Sequence, residues 1–198
     1  MLPNAAIFHY DYRDQQILDA IKDPGTGATV GKIVNAPKST IDGIELELAW
    51  RPTSALTLTQ FLGYKDGEFK EYTALSPAAN LAGSPLYFPR LSYGGAVSYR
   101  FTTPGWLFNA QADLSYHDKT RSFLNRINPS YEFGTPAYWL TNARFEVAPA
   151  DSRWSAMVYA RNLFDKQYDL TRNFFDLPLP VAAAGAPRTL GLQVRYDF

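Results

Sequence analysis

A strict two-residue alternation constrains this chain more than any other feature, and it is cleanest in residues 188–198 (RTLGLQVRYDF). Leu190, Leu192, Val194, Tyr196 and Phe198 interleave with Thr189, Gly191, Gln193, Arg195 and Asp197. Successive side chains of a β-strand point to opposite sides, so this order gives one apolar face and one polar face. Two surroundings reward that pairing. One is the core and surface of a soluble β domain; the other is lipid and a wet lumen in a transmembrane barrel. A closing aromatic favours the barrel, because soluble termini tend to fray into polar residues.

The alternation recurs along the chain. Residues 6–17 place Phe8, Tyr10 and Tyr12 on one side and Ile7, His9, Asp11 and Arg13 on the other. Residues 39–51 set Ile44, Leu46, Leu48 and Trp50 against Gly43, Glu45, Glu47 and Ala49. Residues 55–65 return with Leu56, Leu58, Leu62 and Tyr64 outward, a row that Gln60 interrupts. Residues 91–101, 106–116 and 138–147 follow the same rule. The segment 106–116 carries an aromatic at each end with Ala110 and Ala112 between, the spacing two interfacial girdles would select. Residues 154–161 fit two registers; the one with Ala156, Val158 and Ala160 outward keeps Arg161 away from lipid. Tight turns at 52–54, 102–105 and 149–152 alternate with long loops at 18–38, 66–89, 117–136 and 165–187, with a short apolar patch at 30–34 extending a strand. Long-short alternation suits a membrane barrel better than a sandwich.

The expected fold is therefore all-β: an antiparallel, up-and-down meander of about eight strands forming a transmembrane barrel segment. Leu46, Leu48, Leu58, Tyr99, Phe108, Leu192 and Val194 should share the convex, lipid side. Glu45, Glu47, Asn109, Gln111 and Arg195 should share the concave side, since a one-residue slip would exchange every face.

Composition excludes several functions. Nineteen basic and nineteen acidic residues leave no net charge to attract nucleic acid. With no cysteine there is neither a disulfide framework nor a thiolate metal site. No apolar run reaches the length of a transmembrane helix, which leaves a barrel open because only alternate residues meet lipid. Aromatics make up 15% of the chain, and their amphipathic members suit a membrane-water interface. His9 and His117 would form a metal site only if the fold joined them; two ordinary strand-end histidines are the simpler reading. Glu45 and Glu47 share a strand face with no base, nucleophile or metal partner nearby, so they read as lumen carboxylates rather than a catalytic pair. The expectation is no enzyme, no cofactor and no metal. The first residues, MLPNAAIFHYDYRD, show no export signal.

Three segments carry a resemblance. Residues 162–168 (NLFDKQY), residues 185–191 (GAPRTLG) leading into the last strand, and residues 35–47 (NAPKSTIDGIELE) ahead of Pro52 resemble, in order, segments of TonB-dependent outer-membrane receptors. That resemblance implies import of a scarce ligand, a ferric siderophore or similar chelate, by a protein that binds it with outer loops and a plug. It implies an outer-membrane location with the C-terminus periplasmic, and TonB acting through a plug region. It also implies contact between the barrel-assembly machinery and the terminal strand through Leu190, Leu192, Val194, Tyr196 and Phe198. Such receptors have barrels of about 22 strands, which at this chain's spacing need about 550 residues. Residues 1–198 thus read as the C-terminal part of such a barrel, without plug, signal peptide or early strands, and as an open half-pipe. Loop residues Tyr87, Phe88, Arg90, Arg121, Phe123, Arg126, Arg172, Phe174 and Phe175 are the candidates for ligand contact. The competing reading is a self-contained eight-stranded barrel with a structural or adhesion role, which requires the first and last strands to pair.

Overall fold

A computed structural model describes residues 1–75, 78–121, 134–151, 153–173 and 181–197. The described strands are β1 (Leu2–Lys22), β2 (Thr29–Trp50), β3 (Leu56–Glu71), β4 (Thr73–Leu75), β5 (Ala78–Asn80) and β6 (Leu91–Thr103), then β7 (Trp106–His117), β8 (Tyr138–Pro149), β9 (Trp154–Arg161), β10 (Asp169–Asn173), β11 (Val181–Ala184) and β12 (Thr189–Tyr196). Eight of them form one sheet in the order β1-β2-β3-β6-β7-β8-β9-β12, each antiparallel to its neighbour. β4 with β5 and β10 with β11 make two small hairpins outside that sheet. There is no helix among the described residues. β1 and β12 stand at opposite ends of the sheet with no ladder between them, so the sheet is open and the self-contained barrel is not favoured.

Register fixes the faces. One row runs Leu58, Val97, Ala112, Ala143, Ala160, Leu190 from β3 to β12. The row behind it runs Ser98, Gln111, Arg144, Tyr159, Gly191. Pairing of this kind places all seven expected apolar residues on one face and all five polar ones on the other, and it selects the register of β9 with Ala156, Val158 and Ala160 beside lipid.

The first two long loops are corrected. Residues 18–38 are mostly strand: β1 and β2 pair without slippage from Leu2 opposite Ala49 to Lys22 opposite Thr29. Glycine and proline there suggest a loop, yet Pro37 falls where the ladder skips a pair, opposite Asp14 at φ 53°, so no hydrogen bond is lost to its missing N–H. β3 likewise continues through residue 71. What stabilises these extensions is a small apolar core on the lumen side. Ala36 and Phe69 are fully buried there with Tyr72, Ala74 and Leu86, and Ile17, Val34 and Ile41 pack around them. Asp19, 1% exposed, ties β4 to β1 by accepting from the Tyr72 hydroxyl (2.5 Å) and the Leu75 amide (2.8 Å). A buried carboxylate persists only when so satisfied.

The β1–β2 hairpin turns on Asp23, whose Oδ1 accepts from the amides of Gly25 (3.0 Å) and Thr26 (2.8 Å) and from the Thr26 hydroxyl (2.8 Å). Those bonds, the Thr26 amide foremost, hold its pKa below the ordinary carboxylate value. A depressed folded pKa stabilises the turn above the unfolded pKa and loses that effect as pH falls through the folded one. Amide exchange at Gly27 and Ala28 should therefore accelerate on acidification below the normal aspartate range. In an Asp23→Ala variant the same amides should exchange fast at every pH, with no further pH step beyond the intrinsic chemistry.

Candidate functional site

Aromatic side chains mark two levels on the apolar face. Near the tight turns, Phe101 stacks on Phe108 (4.7 Å between centroids), Phe108 on Phe145 (5.9 Å), and Trp106 meets Trp154 edge-on (6.3 Å). Toward the long loops, Trp139 meets Tyr93 (5.8 Å) and Tyr116 (4.8 Å). Between Trp106 and Tyr116 a strand rises about 34 Å along its axis. At a strand tilt of ~40° that is about 25 Å of membrane depth, the height of the apolar band of an outer-membrane barrel. The face between the levels is mostly alanine, valine and leucine, interrupted by Gln60, Gly95 and Thr141 in one row.

The opposite face is polar and internally bonded. Ser98 donates to Asn109 (3.1 Å), Arg144 donates to Gln111 (2.5 and 3.1 Å), and Asn142 donates to Asp113 (2.7 Å). Glu47 accepts from Asn4 (3.4 Å). Aromatics on this side lie over glycine: Phe8 over Gly43, Phe61 over Gly94 and Tyr159 over Gly191. A Cβ on those glycines would come within 2.2–2.3 Å of the ring, so the rings are part of the wall's packing. His9 and His117 are not brought together. They sit on β1 and β7, four strand spacings apart and on opposite faces. His9 pairs with Asp42 (2.7 Å), and His117 stacks on Tyr138 (4.7 Å). Glu45 and Glu47 share the polar face as expected. Among the described residues no group of three histidines or carboxylates is placed to hold a metal ion.

The loop candidates separate. Tyr87 packs edge-on against Phe69 of the outer core (5.9 Å), and the Lys65 ammonium lies over the Phe88 ring (4.8 Å). Both aromatics therefore have structural work within that core. Arg90 pairs with Asp66 (2.9 Å) and Arg121 is exposed. Arg172 pairs with Asp169 (2.7 Å), both about three-quarters buried. Phe123, Arg126, Phe174 and Phe175 lie outside the described residues, as does Phe198. Sequence reasoning passed over Tyr138, Lys166 and Tyr168, which the fold brings to one recess with Arg172. Lys166 and Tyr168 belong to NLFDKQY itself, whereas Tyr138 stands well before it in sequence and carries no signal of its own.

That motif is a knot. Asn162, 5% exposed and at φ 48°, donates from Nδ2 to the carbonyls of Lys166 (2.9 Å) and Ala186 (3.1 Å) and accepts at Oδ1 from the Lys166 amide (2.8 Å). Its own amide donates to Asn142 Oδ1 (3.0 Å), which links it through Asn142 to Asp113. Asp165 accepts from the Arg188 amide (2.9 Å). The chain leaving β9 is thus tied to the chain entering β12. Asparagine fits because it tolerates the left-handed conformation and offers both donors and an acceptor.

An antiparallel meander with two aromatic levels, a lipid face and a bonded polar face defines a segment of a transmembrane β-barrel wall. The family model described as TonB dependent receptor-like, beta-barrel, matches residues 4–163, and the chain belongs to that family. Solved structures agree on the fold. The ferric yersiniabactin uptake receptor FyuA from Yersinia pestis matches at a TM-score of 0.76 and 21% identity, over 99% of this chain and 27% of that one. The ferric preacinetobactin receptor BauA from Acinetobacter baumannii gives 0.64 and 18%, over 99% and 27%. The copper transporter OprC gives 0.67 and 15%, over 99% and 29%. The chain spans about a quarter of the length of these proteins.

Proposed function

We propose that residues 1–198 are the C-terminal part of the barrel of an outer-membrane receptor that imports a scarce metal chelate, a ferric siderophore or a similar complex, using TonB-coupled energy. The observation that carries this reading is the open sheet of eight strands, seven of them within the residues the family model matches, with lipid and lumen faces set by register and a free edge at each side. Unpaired backbone edges cannot stand in lipid, where each unsatisfied group costs several kcal/mol. β1 and β12 then pair with further strands of the same barrel, and plug and TonB contacts belong to parts of the receptor outside this wall. The cargo class follows the matched structures, whose names speak of ferric and copper uptake. This wall binds, lines and positions; it performs no chemistry. The tight turns and the C-terminal end of β12 face the periplasm, and β12, with Leu190, Leu192, Val194 and Tyr196 in one row, is the strand that the barrel-assembly machinery engages. The test is uptake of radiolabelled ferric chelates by cells with and without the receptor gene, each in TonB-positive and TonB-deleted backgrounds. Uptake of at least one chelate should need both genes. Uptake that survives deletion of either, across ferric and copper chelates, would refute the proposal.

A further inference from the structure

At the loop end of the wall, a recess of about 600 Å³ opens between the start of β8, residues 165–169, β10 and the run into β12. That size lies within the range of small-ligand sites. Its walls are held before any ligand arrives. Asn162 fixes the Lys166 backbone through both its N–H and its carbonyl, and the Gly185 amide donates to the Tyr168 carbonyl (2.8 Å). The rings are packed among themselves: Tyr138 stacks on His117 and lies tilted against Tyr168, which in turn lies over Gly185. Both tyrosines line the recess and stay partly exposed. The charges are also divided. Arg172 and Asp169 neutralise one another, and Asp165 is engaged by the Arg188 amide. Among the described residues Lys166 has no carboxylate partner, and it is exposed.

We propose that this recess binds a carboxylate group of a small oxygen-rich ligand, with the Lys166 ammonium as its counter-charge and the hydroxyls of Tyr138 and Tyr168 as hydrogen-bond donors. A single compact cation beside neutral donors suits one anionic group and holds an uncharged isostere much more weakly. The inference rests on the reading of this end of the wall as a receptor's outer mouth, and its test does not depend on transport.

The experiment uses the intact receptor in native outer membranes and succinate as probe, with succinamide as the uncharged control at equal ionic strength. Acetylation of Lys166 is quantified by mass spectrometry, with Lys70, paired to Glu68, as internal reference. Succinate at ten times its dissociation constant should slow Lys166 acetylation by about tenfold. Succinamide should leave it unchanged, and Lys70 should not respond to either. A Tyr168→Phe variant keeps the ring over Gly185 and should need several-fold more succinate for the same protection. Equal labelling with and without succinate, equal protection by succinamide, or parallel protection of Lys70 would each overturn the proposal. Loss of chelate uptake with this footprint intact would count against the import reading alone.

Discussion

Ala112→Arg should destabilise the intact barrel by about 2–4 kcal/mol, whereas Gln111→Arg, one residue away, should cost under about 1 kcal/mol. The two positions are neighbours in β7 with opposite surroundings. Ala112 pairs with Val97 and Ala143 on the apolar face, midway between Trp106 and Tyr116. A guanidinium there sits at the depth where hydrocarbon gives it no partner. Gln111 lies on the polar face and already accepts twice from Arg144, so arginine there loses those two bonds and gains a like charge in a wet lumen. Urea unfolding of the receptor in lipid vesicles reads the difference. Equal costs at the two positions would mean that neither face meets lipid.

Asn162→Leu is the second large effect. The leucine removes three side-chain hydrogen bonds at a buried corner and must hold φ near 48°, which asparagine tolerates and leucine does not. At about 1 kcal/mol per bond, with a further ~1 kcal/mol of backbone strain, the expected loss is about 4 kcal/mol. Its location is specific: amides of β12, which pairs only with β9 in this sheet, should lose exchange protection before those of β6–β8. Asn162→Gly relieves the backbone and loses the bonds, so it should fall between wild type and leucine. If glycine matches wild type, the side-chain knot is not what holds β12.

Much of the wall was legible because lipid imposes a period of two that no loop imitates. Leu190 to Tyr196 and Trp106 to Tyr116 each carry enough alternation to fix both faces and the girdle level. The long loops were misread for a physical reason. Beyond the membrane no lipid enforces the pattern, so Asp19, Pro37 and Gly67 look like loop residues. They are ordered instead by contacts distant in sequence, such as Asp19 with Tyr72 and Phe69 with Tyr87. The recess was illegible for the same reason: Tyr138, Lys166 and Tyr168 meet only once β8, β9 and β12 are docked side by side. Phe61 and Phe8 break the polar face in sequence, and only the register discloses the glycines beneath them.

The central claim is that one face of this sheet meets lipid and the other meets water. Because the chain has no native cysteine, a scan along β7 in the intact receptor has no background from this segment. Spin labels at residues 108, 110, 112 and 114 should be more accessible to oxygen than to a water-soluble nickel complex. Labels at 109, 111, 113 and 115 should show the reverse. Strict alternation across these eight positions is the predicted result; a uniform accessibility, or the opposite phase, would contradict it.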